Sequence, residues 1–153
     1  MTEIPLNHNK VTLVDDEDYE RLMQYTWCYH QGYAKTNIKV GDKYKTVSMH
    51  RIILNTPPDK DTDHVNHDTL DNRRQNLRIC TTRQNMMNQK PKSKSSRFKG
   101  VMRDRDGYWI TKVDKVYIGS FPTERIAAMA YDLWARDIFG EFANPNFPVC
   151  VNN

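Results

Sequence analysis

The chain has 153 residues, of which 38% are hydrophobic and 27% charged, and its formal net charge is +4. This length suits one domain or two very small ones, and eight Tyr, five Phe and three Trp argue against a disordered chain. No apolar segment approaches the roughly 18–20 residues of a membrane helix, and no secretory signal pattern is visible, so we expect a cytoplasmic protein without a membrane partner.

The three cysteines are far apart, and none belongs to a CxxC pair; they are Cys28, Cys80 and Cys150. We expect no structural zinc site, because such sites use closely spaced thiolates. Reduced thiols of a cytosolic protein explain the cysteines more simply.

Positive charge is concentrated in one stretch of the chain. Residues 91–121 contain eight basic and three acidic residues, whereas residues 1–60 contain eight of each. A basic stretch indicates a polyanionic partner, most often nucleic acid. From charge alone, a solvated basic loop is an alternative of equal weight.

The first predicted element is a short helix over residues 13–25. Asp15 or Asp16 can cap it, and acidic residues in its first turn suit the helix dipole. The run Asp15–Asp18 also allows a metal site, but the chemistry of a helix start explains it better.

A hairpin and a second helix are predicted next. The segments 32–40 and 44–52 are rich in β-branched and aromatic residues and flank a Gly-Asp turn at 41–42. Residues 50–55 predict the beginning of a short helix, which the following proline pair ends. We therefore expect an α+β arrangement in the first half of the chain.

The segment 61–90 is dense in Asp, His, Asn and Arg and poor in apolar residues. Asp63 and Asn85 offer oxygen ligands to a hard divalent cation, and His64 can serve as a general base near neutral pH. One cation and one imidazole suffice for phosphodiester hydrolysis. Three arginines of the same segment are candidates for holding phosphates around this centre: Arg73, Arg74 and Arg78.

Residues 81–89 predict a short helix, which a threonine at 81 or 82 can cap. Such a helix would fix the direction of the Asn85 amide. Other polar residues of the region have simpler explanations. His50 is more often a packed residue than a ligand, and Asp71 and Asn72 are typical of turns whose side chains satisfy loop backbone.

These motifs carry a resemblance to a known family. The sequence MHRII at 49–53, followed by DHVNHDTLDNRRQNLRICTTRQN at 63–85, resembles the HNH endonucleases and is especially similar to phage and intron-encoded homing enzymes. The resemblance covers roughly residues 1–90, with its motif core at 61–90. It implies a ββα-metal fold around one divalent ion, most simply Mg²⁺, with Mn²⁺ as an alternative.

The resemblance also assigns roles to individual residues. It implies Asp63 and Asn85 as metal ligands, His64 as the general base, and Asn76 as a residue that supports the His-bearing loop by hydrogen bonds. The family name suggests a final His where this chain has Asn85. Asparagine also occurs there in the homing branch, so this departure does not argue against activity.

A boundary follows the HNH-like segment. Residues 89–100 are rich in Lys, Ser and Pro, which is typical of a linker. We place a basic linker at 91–96, between a first module at 1–90 and a second module at 97–148.

The second module predicts a small sheet followed by a helix. Three strands are expected, with turns at 106–107 and 114–115; they cover 98–103, 107–114 and 116–121. Residues 122–140 predict one amphipathic helix, which Thr123 caps and Gly140 ends. The apolar residues expected on its inward face are Ile126, Ala127, Ala130, Tyr131, Trp134 and Ile138.

The second module resembles the APETALA/ethylene-response-factor (AP2/ERF) DNA-binding domain. The matching positions are Gly100-Val101, Trp109, Gly119-Ser120-Phe121 with Thr123, Ala127-Ala128 with Ala130-Tyr131-Asp132, and Asn146-Phe147-Pro148. The resemblance implies a three-stranded antiparallel sheet plus one helix, with the sheet in the major groove. The DNA contacts that it implies are Lys99, Arg103, Arg105, Trp109, Lys112, Lys115 and Tyr117.

Two qualifications apply to this second resemblance. Met102 stands where the plant domains usually carry Arg, so the plant target sequence does not carry over. For Trp109, packing between sheet and helix is an alternative of equal weight.

Together the two modules predict a metal-dependent endonuclease of the homing type that acts on double-stranded DNA. We expect a nick or a double-strand break at a preferred site, by a monomer or weak homodimer in a bacterial or phage-infected host cell. An alternative is a catalytically inactive DNA-binding regulator built on the same modules, against which the set Asp63, His64 and Asn85 argues. A third hypothesis, an RNA-binding protein, lacks the dedicated RNA-binding motifs.

Overall fold

The computed structural model describes residues 1–89 and 95–147. It divides into two compact units, Met1–Asn85 and Met86–Asn153. Of the predicted linker at 91–96, residues 91–94 lie outside the described residues, as do Pro148 and Cys150. Among the described residues, no helix is both long and apolar enough to span a membrane.

The described part of the chain is a mixture of short antiparallel strands and helices. The strands are β1 (Thr2–Leu6), β2 (Lys10–Val14), β3 (Cys28–His30), β4 (Tyr33–Val40), β5 (Lys43–Ser48), β6 (Asp61–His64), β7 (Leu77–Cys80), β8 (Val101–Arg103), β9 (Trp109–Val113) and β10 (Val116–Phe121). The α-helices are α1 (Asp16–Leu22), α2 (Met49–Ile53), α3 (Thr82–Asn88) and α4 (Glu124–Phe139).

The chain begins with a hairpin of β1 and β2 that the sequence pattern did not predict. Val14 pairs with Thr2 across this hairpin and is fully buried. The predicted helix at 13–25 was therefore too long at both ends, because α1 covers only Asp16–Leu22. Asp15 occupies the N-cap position, but its side chain makes no capping hydrogen bond to the helix.

The predicted hairpin around residues 41–42 is confirmed. β4 pairs with β5 from Lys35↔Ser48 to Val40↔Lys43, and β3 adds a third strand on the other side of β4. The first unit has one apolar core, in which these residues are buried: Ile4, Leu6, Val14, Leu22, Trp27, Ala34, Met49, Ile53 and Leu77.

The second unit has the predicted sheet, with strand order β10-β9-β8 and antiparallel pairing throughout. Asp114 and Lys115 form the two-residue turn between β9 and β10, with φ of 46° and 71°, as a type I′ hairpin requires. α4 begins after Thr123, whose Oγ1 accepts a hydrogen bond from the Ile126 amide at 3.3 Å, and ends at Gly140.

The inward face of α4 differs from the predicted one. The residues buried against the sheet are Ala127, Ala128, Tyr131, Asp132 and Ala135. Ile126, Trp134 and Ile138 are exposed, so the prediction for these three was wrong. Three of these five are alanines, whose small side chains let the helix backbone approach the sheet closely.

Gly100 provides a test of this close packing. A Cβ atom at Gly100 would overlap the Tyr131 ring and lie 2.6 Å from the Lys112 carbonyl oxygen, on a backbone with φ of +73°. We expect Gly100→Ala to lower the free energy of unfolding of the second unit by about 3 kcal/mol or more, measured by urea denaturation followed by tryptophan fluorescence. Gly107→Ala is the control: its φ is +89°, but its nearest neighbour is the flexible Arg103 side chain at 3.7 Å. A similar loss of stability in both variants would contradict the packing argument.

Candidate active site

The candidate site is built on the β6–β7 hairpin and on α3, which follows it. The hairpin pairs Asp61↔Cys80, Asp63↔Arg78 and His64↔Leu77. Because side chains alternate along a strand, Asp61 and Asp63 emerge on the same face as Cys80 and Arg78. The next residue, His64, emerges on the other face.

The long connection between β6 and β7 is fixed to the rest of the first unit. The Leu13 amide of β2 donates to the Leu70 carbonyl oxygen, and the Asn72 amide donates to the Leu13 carbonyl oxygen, both at 2.8 Å. The Thr12 hydroxyl also donates to the Leu70 carbonyl oxygen, at 2.7 Å. The hairpin that the sequence did not predict therefore holds the loop opposite His64.

His64 is buried, with 5% of its surface exposed. Its ring centroid is 5.0 Å from that of His50 and 6.1 Å from that of Tyr33. Burial lowers the pKa of His64, against the opposing effects of its hydrogen bond to Asn72 and of nearby carboxylates. The imidazole is therefore neutral near neutral pH and able to accept a proton.

The hydrogen bond to Asn72 fixes the tautomer of His64. Asn72 donates through Nδ2 to the Thr12 hydroxyl at 2.7 Å, which turns its Oδ1 toward His64 Nε2 at 3.2 Å. Since an amide oxygen only accepts, Nε2 carries the ring proton, and Nδ1 is the basic nitrogen. Asn72 was predicted to be a turn residue, so its contact with His64 was missed.

His50 packs edge-on against His64, in agreement with its prediction as a packed residue. Its own pKa is lowered to about 3, mainly by burial and further by repulsion from His64 when that ring is protonated and from the charges of Arg51 and Lys35. A neutral His50 adds no charge beside His64 at neutral pH.

Asp63 forms an ion pair with Arg78 on the facing strand. Arg78 donates through Nε and Nη2 to the same carboxylate oxygen, Oδ2, at 2.9 and 2.8 Å. Both side chains are largely shielded from solvent, with 7% of the Asp63 side chain and 15% of the Arg78 side chain exposed.

Asn85 lies in the first half of α3, beside Asp61. Its Nδ2 is 3.4 Å from Asp61 Oδ2. The start of α3 is fixed by a capping box, in which the Thr81 hydroxyl accepts from the Gln84 amide at 3.2 Å and Gln84 Oε1 accepts from the Thr81 amide at 2.8 Å. Of the two threonines predicted as the cap, Thr81 is the one that caps α3. The contact between Asp61 and Asn85 was not predicted from the sequence.

The Cys80 thiol marks the centre of this group. Burial, followed by the negative charges of Asp63 and Asp61, raises the pKa of Cys80 to about 11. The Arg78 charge and a hydrogen bond from the Asn85 backbone act in the opposite direction. The buried thiol also lies 3.7 Å from the Asp61 carbonyl oxygen, across the strand pair.

The Asn76 side chain forms hydrogen bonds with the backbone of the loop that follows His64. Its Nδ2 donates to the Asp71 carbonyl oxygen at 2.8 Å, and its Oδ1 accepts from the Asn66 amide at 2.9 Å. Because both hydrogen bonds lie within the loop, they restrict the backbone that follows β6. This geometry suits the supporting role that the resemblance implied.

The donor set is compatible with a hard divalent cation. Asp63 offers a carboxylate, Asn85 an amide oxygen, and Asp61 a second carboxylate beside Asn85. The described residues contain no group of three or more His, Cys, Asp and Glu side chains placed to hold a metal. A cation here would therefore keep several waters, as Mg²⁺ commonly does.

The other two arginines that were predicted to hold phosphates are paired with carboxylates. Arg73 donates through Nε and Nη2 to the two oxygens of Asp71, both at 2.7 Å. Arg74 binds Asp18 in the same way, at 2.7 and 2.8 Å. Asp18 is buried, so the acidic helix start predicted for this region serves as a structural anchor for Arg74.

The predicted DNA-contacting residues of the second unit fall into two groups. Lys112 and Tyr117 pair across β9 and β10 and are exposed on the side of the sheet away from α4, and Lys115 and Arg105 are exposed in the two turns. The others contact the protein. Trp109 packs against the apolar core with Arg103 over its ring at 5.7 Å, and Lys99 donates to the Met87 carbonyl oxygen.

Comparison with known proteins relates this chain to nucleases. Residues 55–87 match the family model for HNH endonuclease. The chain is 38% identical over 123 residues to an uncharacterized HNH endonuclease of Acanthamoeba polyphaga mimivirus, covering 74% of this chain and 64% of that protein.

Two plant proteins are also similar to it. One is an AP2/ERF and B3 domain-containing protein of Oryza sativa subsp. japonica, 41% identical over 58 residues, which covers 35% of this chain and 16% of that protein. The other is dehydration-responsive element-binding protein 2D of Arabidopsis thaliana, 32% identical over 85 residues, which covers 50% of this chain and 41% of that protein.

The chain spans less than two thirds of the length of each of these three relatives. No solved structure matches it. The family match covers β6, β7 and most of α3, so the segment that carries Asp63, His64 and Asn85 lies within the part of this chain that matches the HNH endonuclease model.

Proposed function

We propose that this protein is a metal-dependent DNA endonuclease of the homing type. Asp63, His64 and Asn85 form the site at which it hydrolyses the phosphodiester bonds of DNA. One observation carries the proposal: the 55–87 segment that matches the HNH endonuclease model coincides with the hairpin and helix that hold these three residues.

His64 acts as the general base in this mechanism. Its buried, neutral imidazole takes a proton from water at Nδ1, while the hydrogen bond from Nε2 to Asn72 holds the ring in one orientation and stabilises the imidazolium that forms. His50 and Tyr33 limit rotation of the ring and exclude bulk water from one side of it.

Asp63 and Asn85 hold one divalent cation, most simply Mg²⁺. When bound, the cation supplies Lewis-acid stabilisation for the charge that develops on the phosphate and on the leaving oxygen. The attacking and leaving oxygens must lie roughly in line on opposite sides of phosphorus.

The second unit positions the enzyme on double-stranded DNA in this proposal. The exposed side of its sheet carries Lys112 and Tyr117, with Lys115 and Arg105 at the turns, and a two-stranded or three-stranded sheet can enter the major groove. The similarity to AP2/ERF proteins supports the same assignment.

A catalytically inactive DNA-binding regulator is the second candidate. The ion pair between Asp63 and Arg78 favours it, because a carboxylate that is neutralised by a guanidinium needs no metal ion for charge compensation. Catalysis is the better-supported function, since a purely structural hairpin does not require a buried, oriented imidazole beside this pair.

His64→Ala tests the mechanism. We expect cleavage to fall by roughly 10²–10⁴-fold, the scale of a general acid–base residue, with unchanged affinity for DNA. The measurement is nicking of supercoiled plasmid with Mg²⁺ or Mn²⁺, with EDTA as the metal-free reference, and gel-shift binding of the same DNA.

The matched control for this variant is His8→Asn, an exposed turn residue with φ of 58°, a backbone conformation that Asn tolerates. It should cleave like the wild-type protein. Cleavage by His64→Ala at the wild-type rate would contradict the assigned general base.

The double variant Lys112→Gln/Lys115→Gln tests the DNA-positioning role of the second unit. We expect weaker DNA binding and a decrease of about 1.8 in the slope of log K against log salt, at about 0.9 per lost phosphate contact. The control Lys10→Gln/Arg125→Gln removes the same charge from other exposed positions. Equal slopes for the two double variants would exclude this sheet as the anchor.

A further inference from the structure

The ion pair between Arg78 and Asp63 differs from the other arginine–aspartate pairs of the described residues. The Arg78 side chain is 15% exposed, whereas the arginine side chains that pair with Asp71 and Asp18 are 27–43% exposed. A buried pair is weakly screened by solvent, so each charge depends strongly on its partner.

The position of this pair is unusual as well. Nε and Nη2 of Arg78 both donate to Oδ2 of Asp63, the carboxylate that the proposed function assigns to the metal ion. The guanidinium therefore neutralises the negative charge that a divalent cation would otherwise neutralise.

We propose that Arg78 competes with the divalent cation for Asp63 and holds the site in a low-affinity form until DNA binds. This inference rests on the proposed function, because it takes Asp63 as a metal ligand. Arg78 is a positioning residue in this scheme, since it acts through Asp63.

DNA resolves the competition by offering the guanidinium another partner. A phosphate group accepts two parallel N–H bonds from arginine, as a carboxylate does. When Arg78 moves to a phosphate, the guanidinium no longer compensates the negative charge of Asp63, and the cation binds more tightly. By linkage, the cation strengthens DNA binding by the same factor. Metal binding is thereby restricted to the complex in which cleavage is useful.

The test measures Mn²⁺ binding to the full-length protein without DNA, by the electron paramagnetic resonance signal of free Mn²⁺. We expect Arg78→Met to bind Mn²⁺ at least about tenfold more tightly than the wild-type protein, the scale on which close, desolvated charge pairs couple. Arg78→Lys should fall between them, because an ammonium group lacks the two-nitrogen contact. Damage to the site would weaken Mn²⁺ binding, so a structural role predicts the opposite sign.

Two controls locate the effect. Arg21→Met removes one of the two arginines that bind Asp18, outside the β6–β7 hairpin, and should leave Mn²⁺ affinity unchanged. The double variant Asp63→Asn/Arg78→Met should lose the tight binding. If Arg78→Met fails to fold, Arg78→Lys is compared with the wild-type protein instead, and it should again bind Mn²⁺ more tightly.

A second measurement tests the exchange of partners. In a His64→Ala background, which prevents cleavage, added duplex DNA should increase Mn²⁺ affinity, and Arg78→Met should reduce this increase at least about threefold. Equal or weaker Mn²⁺ binding by Arg78→Met and Arg78→Lys without DNA overturns the inference.

The failure of the inference can be distinguished from the failure of the proposed function. If the wild-type protein cleaves DNA with Mn²⁺ and His64→Ala does not, while Arg78→Met binds Mn²⁺ no more tightly, only the inference fails. If no variant binds Mn²⁺ with or without DNA, and no cleavage occurs, both fail.

Discussion

The need to compensate buried carboxylates determines how this small, polar chain organises its loops. Four aspartates are buried among the described residues: Asp18, Asp63, Asp71 and Asp132. Burying a carboxylate costs free energy unless hydrogen-bond donors surround it. Each of these four carboxylates accepts hydrogen bonds from such donors. Asp18 binds Arg21 and Arg74, whereas Asp132 accepts from the backbone amides of Asn146 and Phe147 at 2.6 and 2.7 Å. Polar anchors of this kind provide order that a larger apolar core would provide in a bigger domain.

The candidate site is an extension of the same principle. Asp71 holds Arg73 and Asn66, so the loop between β6 and β7 has one shape, and this loop carries Asn72 to His64. The orientation of the imidazole therefore follows from structural hydrogen bonds some distance along the chain. Asp63 differs from the other three, because the proposed function assigns its carboxylate to a metal ion and the structure pairs it with Arg78.

The sequence predicted an element of the fold well where a turn or a helix cap of a few adjacent residues determines it. The turn at Asp114-Lys115 and the cap at Thr123 were read correctly because each depends on a few adjacent residues. The hairpin of β1 and β2 was missed because its turn contains no glycine and has left-handed backbone at His8 and Asn9 instead. The prediction for the inward face of α4 was partly wrong because it favoured large apolar residues, whereas close packing on the sheet favours alanine at several positions.

The chemistry of the site was only partly accessible from sequence for a different reason. Asp63, His64 and Asn85 could be named because their residue types and spacing resemble a family motif, yet several hydrogen bonds that hold the surrounding loop join positions far apart in sequence. Thr12 lies 60 residues before Asn72, and Asp18 lies 56 residues before Arg74. Arg78 shows the limit most clearly: as one of three arginines it was predicted to hold phosphate, and only the strand register reveals that it faces Asp63. A guanidinium in that position is compatible with both descriptions, because a carboxylate and a phosphate accept the same kind of N–H bonds from arginine.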